Sequence, residues 1–138
     1  MEIRCKQSPF IRPVDDLLAP SSVSIPAWQI TAQPLPFIDI LFLCPVTVSV
    51  DSYTLKIPSP EAIMVHKLII AQRRTGREKE LKKQKDLQQC SSLEEIVRVG
   101  EVQRILQERR FSKDVRKEIV KSCEEAVLSK VDLGLSWT

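Results

Sequence analysis

Proline and glycine are segregated along this chain: all nine prolines lie at or before Pro60, and all three glycines, Gly76, Gly100 and Gly134, lie after it. Proline fixes φ and removes a backbone donor, so it is excluded from helix interiors and from central strands. The first half is therefore confined to short extended pieces joined by turns. The second half is free to form helices. The expected class is α+β, with a short mixed sheet over residues ~10–57 packed on about four helices over ~59–130.

Within the first half, Leu35–Leu43 is rich in β-favouring residues and predicts a buried strand, with Pro36 at its start or on a sheet edge. Val46–Val50 and Tyr53–Ile57, separated by Asp51-Ser52, predict a hairpin. Val23–Ile25 and Trp28–Thr31 predict shorter strands.

The period changes at Ser59. Ser59 suits an N-cap, Pro60 the first helical position, and Glu61 the first turn. This helix is expected to run to about Arg74 and stop near Gly76. It is apolar on several sides, which predicts burial against more than one neighbour. A polar helix over Glu78–Cys90 follows. Ser92-Leu-Glu-Glu95 has the form of a capping box, which predicts a third helix to about Glu108 with Ile96, Val99, Val102, Ile105 and Leu106 inward. Ser112 caps a fourth, with Val115, Ile119, Val120, Cys123, Val127 and Leu128 as its core face.

The length of 138 residues fits one domain, and 43% apolar with 28% charged residues is ordinary for a globular chain. No run reaches the ~18 apolar residues of a membrane helix, and the charged N-terminus is followed by no apolar core, so no secretory signal is expected. Cys5, Cys44, Cys90 and Cys123 form no CxxC pair, and His66 is the only histidine. Free thiols in a reducing compartment, and hence a cytoplasmic protein, are the expectation.

The net charge is +3, yet Arg73–Asp86 alone carries +4. Its bases are Arg73, Arg74, Arg77, Lys79, Lys82, Lys83 and Lys85. Without interleaved aromatics this run suits a solvated helix face better than an RNA-binding surface. His66, alone on a packed helix, suits a structural role.

Lys67 stands in an otherwise apolar helix. A buried ammonium is costly unless it is paired or faces a cleft. Arg74 lies two turns further along the same face, about 10 Å away. Such a pair can hold a polyphosphate, because both are permanent donors to anionic oxygens. Asp86 could pair with either cation and orient it. The alternative is a snorkelling Lys67 beside a solvated basic helix end.

The run Ile57-Pro-Ser-Pro-Glu-Ala-Ile-Met-Val-His-Lys67, continuing through Arg73-Arg74 and followed by Lys85-Asp-Leu87, resembles the C-terminal signature of a bacterial nucleotidyltransferase-fold family. That family is related to minimal nucleotidyltransferases and to abortive-infection nucleotidyltransferase toxins. The likeness covers roughly residues 10–97, with Val14–Pro20 and Gln33–Asp39 similar to the family's middle region. It implies an NTP-dependent, Mg²⁺-dependent nucleotidyl transfer to an unknown acceptor, RNA or protein. It implies Lys67, Arg73 and Arg74 as nucleotide-binding residues. Asp16, Asp39 and Asp86 are the implied catalytic carboxylates, with Asp16 the metal ligand and Asp39 the alternative third carboxylate.

The sequence departs from that pattern in one respect. It contains no Gly-Ser, no Gly-Gly and no Asp-x-Asp. In the superfamily, the Gly-Ser turn brings backbone amides to the triphosphate and the paired acids hold two metal ions. A gene fragment is one expectation, and a separate chain supplying the missing half is the other. On either, this chain alone would be inactive. A non-catalytic protein- or RNA-binding module, regulatory or antitoxin-like, is the rival reading.

Overall fold

The computed structural model describes residues 23–32 and 35–128. Two antiparallel ribbons come first: β1 (Val23–Ile25) with β2 (Ile30–Ala32), and β3 (Val46–Val50) with β4 (Tyr53–Ile57). Four helices follow: α1 (Pro60–Gln72), α2 (Lys79–Leu93), α3 (Val99–Glu108) and α4 (Lys113–Ala126). The α+β class holds. Among the described residues the strands form two separate two-stranded sheets rather than one mixed sheet.

The β3–β4 hairpin turns at Asp51-Ser52, where Asp51 takes a left-handed φ of 53° that aspartate tolerates. Its register sets Val46 opposite Ile57, Val48 opposite Leu55 and Val50 opposite Tyr53. Directly opposed residues share a face, so all six apolar side chains lie together. Thr47, Ser49, Thr54 and Lys56 occupy the other face.

The strand expected over Leu35–Leu43 is not a strand. Phe37 adopts a left-handed φ of 60° and a 3-10 helix runs from Ile38 to Phe42. The pre-proline Leu35 is exposed, and only Ile40 of the 3-10 helix is fully buried, packed within the helical core. Tertiary packing of one isoleucine thus overrides the β propensity of the segment.

Helix α1 is the axis of the core. Ser59 Oγ accepts from the Ala62 amide at 3.2 Å, and Pro60 occupies the first turn, as expected. Ala62, Met64, Val65, Leu68 and Ile69 are all fully buried, against α2, α3, α4 and the 3-10 helix. Removing a Leu, Ile, Met or Val side chain of this kind from water contributes roughly 1.5–3 kcal/mol. Gly76, at φ 89°, lies in the turn between α1 and α2, where a left-handed residue is needed.

The capping box expected at Ser92 does not form. Helix α2 continues to Leu93, and the Ser91 and Ser92 hydroxyls donate back to the Leu87 and Gln88 carbonyls one turn earlier. Helix α3 starts six residues later, and Ile96 is exposed instead of inward. Its cap comes from elsewhere: the buried Glu61 carboxylate of α1 accepts the Arg98 backbone amide at 3.0 Å and Arg98 Nε at 3.3 Å. An acceptor delivered from another helix satisfies the open amide.

Helix α4 begins as expected, with Ser112 Oγ accepting from the Val115 amide. Val115 and Ile119 face the core, but Val127, 79% exposed, does not. It ends the helix in a left-handed conformation, φ 53°, with its amide on the Glu124 carbonyl at 3.2 Å. Ser122 is fully buried and donates to the Leu68 carbonyl, and Gln72 donates to Ser122 at 2.9 Å, so polar contacts pin α4 to α1.

Candidate functional site

Helices α1 and α2 are joined by the short 73–78 turn and pack side by side. Cys90 lies against Met64, while Asp86, one turn earlier in α2, lies against Lys67 of α1 and Arg74 of the turn after it. The two helices therefore run antiparallel, and Asp86 sits between Lys67 on α1 and Arg74 in the turn that follows it. The shared helix face expected from the spacing does not reach Arg74, because α1 ends at Gln72.

The contacts are specific. Arg74 Nε donates to Asp86 Oδ2 at 2.7 Å and Arg74 Nη2 to Oδ1 at 3.0 Å, while Lys67 Nζ reaches Oδ1 at 3.3 Å. This is a two-pronged guanidinium–carboxylate pair with an ammonium added. The Asp86 side chain is 4% exposed, whereas those of Lys67 and Arg74 are 26% and 35% exposed. One carboxylate is buried under two cations that still meet water, which leaves the cluster one positive charge in excess.

Burial alone pushes the Asp86 carboxyl up. The hydrogen bonds and charge of Arg74, with the charge of Lys67, outweigh it and hold the group below its usual range. The Asp86 hydrogen bond in turn raises Arg74. The acid is thus an anion at neutral pH, and the cations are fixed donors. A fixed ammonium and guanidinium with surplus charge can receive a phosphate oxygen without first ordering themselves.

The other expected site residues lie elsewhere. Arg73, adjacent in sequence, points away from the cluster: it pairs with Glu118 of α4 at 2.9 Å and stacks 4.8 Å from the Phe37 ring centroid. Asp39 is not on a strand but in the 3-10 helix, where Arg109 grips both its oxygens, through Nη2 to Oδ1 at 3.2 Å and Nε to Oδ2. Asp16 lies outside the described residues. The structure thus unites Lys67, Arg74 and Asp86 and keeps Arg73 and Asp39 apart from them.

His66 Nε2 lies 3.1 Å from the Pro36 carbonyl. Burial lowers its pKa, so the ring is neutral, and because a carbonyl only accepts, Nε2 carries the hydrogen. It tethers α1 to the segment before the 3-10 helix, a structural role as the sequence suggested. Cys90 and Cys123 are buried thiols whose pKa is pushed up to about 12, which removes them as nucleophiles.

Two polar features escaped the sequence reading. Arg109 is 3% exposed and lies between the Phe37 and Phe111 rings, 5.4 and 4.7 Å from their centroids, while holding Asp39. Glu61 sits in the first turn of α1, as expected, and its carboxylate in addition caps α3. An acid inside an apolar segment signals a buried partner, but nothing in the spacing names a partner 70 residues away.

For Mg²⁺ the described residues are a poor fit. Asp86 and Asp39 already have both oxygens on cations, and among the described residues no three His, Cys, Asp or Glu side chains group as a metal site.

A protein-family model described as "Nucleotidyltransferase" matches residues 10–112, which takes in every described strand and helix up to the cap of α4. No curated protein and no solved structure is matched.

Proposed function

Because this chain belongs to that nucleotidyltransferase family, we propose that the Lys67–Arg74–Asp86 cluster is its site for the phosphates of an NTP. The observation that carries this reading is the surplus charge: two partly exposed cations held at fixed positions by a single buried carboxylate. Lys67 and Arg74 donate to the triphosphate. Asp86 is a positioning residue, since its oxygens face the two cations. Arg73 and Asp39 take no part in the cluster, and Mg²⁺ would be held by Asp16 and by groups outside the described residues.

The transfer itself, from NTP to an acceptor, belongs to the intact relative on this reading. The chain lacks the Gly-Ser and Asp-x-Asp elements, so alone it binds nucleotide without transferring it. The same observation favours a second reading, a non-catalytic regulatory module that keeps the fold. A second chain that brings the two missing elements would separate the two by restoring transfer.

Equilibrium dialysis of the full chain with each of the four NTPs tests the nucleotide site. Binding is expected, with inorganic pyrophosphate displacing the nucleotide because the contacts are to phosphate. Absence of NTP affinity in the wild type would end this assignment.

A further inference from the structure

We propose that the exposed start of α2 extends the Lys67–Arg74 site outward into a track for the phosphodiester backbone of a nucleic acid, which makes nucleic acid the partner of this chain. The inference rests on the nucleotide-site reading and adds the class of molecule that lies beside it. Lys82 and Lys79 stand four and seven residues before Asp86, one and two turns along the same face of α2. Because α1 has ended at Gln72, it no longer covers that face, and both lysines are exposed, as is Arg77 in the turn. Two of the neighbouring bases are paired off, Arg73 with Glu118 and Lys83 with Glu125 at 2.9 Å, while the exposed Lys85 has no ion pair among the described residues. Lys79, Lys82 and Arg77 have no acid partner among the described residues. Glu80 falls on a different face; Glu78, the N-cap residue, stands four residues before Lys82 but forms no ion pair among the described residues.

Basic residues therefore continue along this face of α2, from the cluster around Asp86 to the exposed Lys82 and Lys79. The composition of the track selects its occupant. A protein partner needs apolar or aromatic anchors that become fully buried. The one large apolar residue near this end, Leu81, lies on another face. Stacking rings for bases are likewise absent among the described residues of α2. Lysines alone suit repeated phosphates, read through charge and counterion release rather than base identity.

The test is fluorescence anisotropy of the full chain with a short labelled RNA, a DNA of the same sequence and an acidic peptide, across a salt series. NTP binding is measured on the same samples. Wild type is expected to bind RNA or DNA with affinity falling steeply as salt rises, and to bind the peptide more weakly. The Lys79→Ala/Lys82→Ala double variant is expected to lose roughly tenfold in nucleic-acid affinity, and its log–log salt slope to become shallower by about one to two. Circular dichroism confirms the fold of the variant. Equal affinity and slope in wild type and variant, or peptide binding as tight as nucleic acid, overturns the proposal. NTP binding without nucleic-acid binding overturns it and leaves the nucleotide site standing. Loss of NTP binding in the wild type defeats the nucleotide site instead.

Discussion

Arg74 grips Asp86 through one edge of its guanidinium, with Nε on Oδ2 at 2.7 Å and Nη2 on Oδ1 at 3.0 Å, and Lys67 completes the contact from two turns earlier in α1. The acid that joins α1 to α2 is the acid that holds both cations in place. Stability and the candidate site therefore depend on one carboxylate.

Replacing Asp86 by Asn leaves two cations beside a neutral amide that cannot balance them. Removing one member of a buried ionic cluster is strongly destabilising. The cations are partly solvated, so the expected loss is about 2–3 kcal/mol rather than the larger figures for fully buried pairs. Urea unfolding followed by circular dichroism measures it, and an unchanged midpoint would show that the pair contributes nothing.

Acid should weaken the same contact. The folded Asp86 carboxyl titrates below its ordinary value of 3.8, so the unfolded chain binds the proton first. Its contribution is complete above that value and is lost as pH falls through the folded one. Glu61, also lowered, acts in the same direction. The stability difference between wild type and Asp86→Asn is expected to shrink as pH drops from 5 to 3, in thermal melts at constant ionic strength. A constant difference across that range would contradict the linkage.

Arg109→Lys tests the second polar lock. Lysine keeps the charge but cannot hold both Asp39 oxygens or lie flat between Phe37 and Phe111. The expected cost is about 2 kcal/mol. A variant as stable as wild type would mean that charge alone suffices at this buried position.

Val127→Gly should stabilise. A β-branched residue at φ 53° is strained, its side chain is exposed, and glycine is at ease there. An increase of about 1 kcal/mol is expected from relief of that strain. A loss would show that Val127 makes contacts that outweigh it.

What could be read from the sequence was local. Ser59-Pro60, Ser112 and the Asp51-Ser52 turn carry their geometry in neighbouring residues, and each appears where expected. The meeting of Lys67, Arg74 and Asp86 was legible too, although α1 ends at Gln72 and Arg74 reaches the acid from the turn instead of from the helix face. Arg73 shows the limit of that reading: α1 ends at Gln72, so helical spacing no longer fixes direction beyond it, and this side chain reaches Glu118 and Phe37. Longer-range decisions were not legible. The Leu35–Leu43 segment has strand propensity, but burial of Ile40 against α1 shapes it into a 3-10 helix. Ser92 looks like a cap, but Glu61 supplies the cap from another helix, so α3 starts later. Asp39 and Arg109 gave no sign of each other, since no local spacing encodes a partner so far along the chain.

The most direct test is a calorimetric titration of NTP into the full chain and into three single variants: Lys67→Ala, Arg74→Ala and Arg73→Ala. Wild type is expected to bind, Lys67→Ala and Arg74→Ala each to weaken binding at least about tenfold, the loss of a charge-assisted contact, and Arg73→Ala to cost less than either. No binding by wild type, or three variants weakened to the same degree, would contradict the Lys67–Arg74 site.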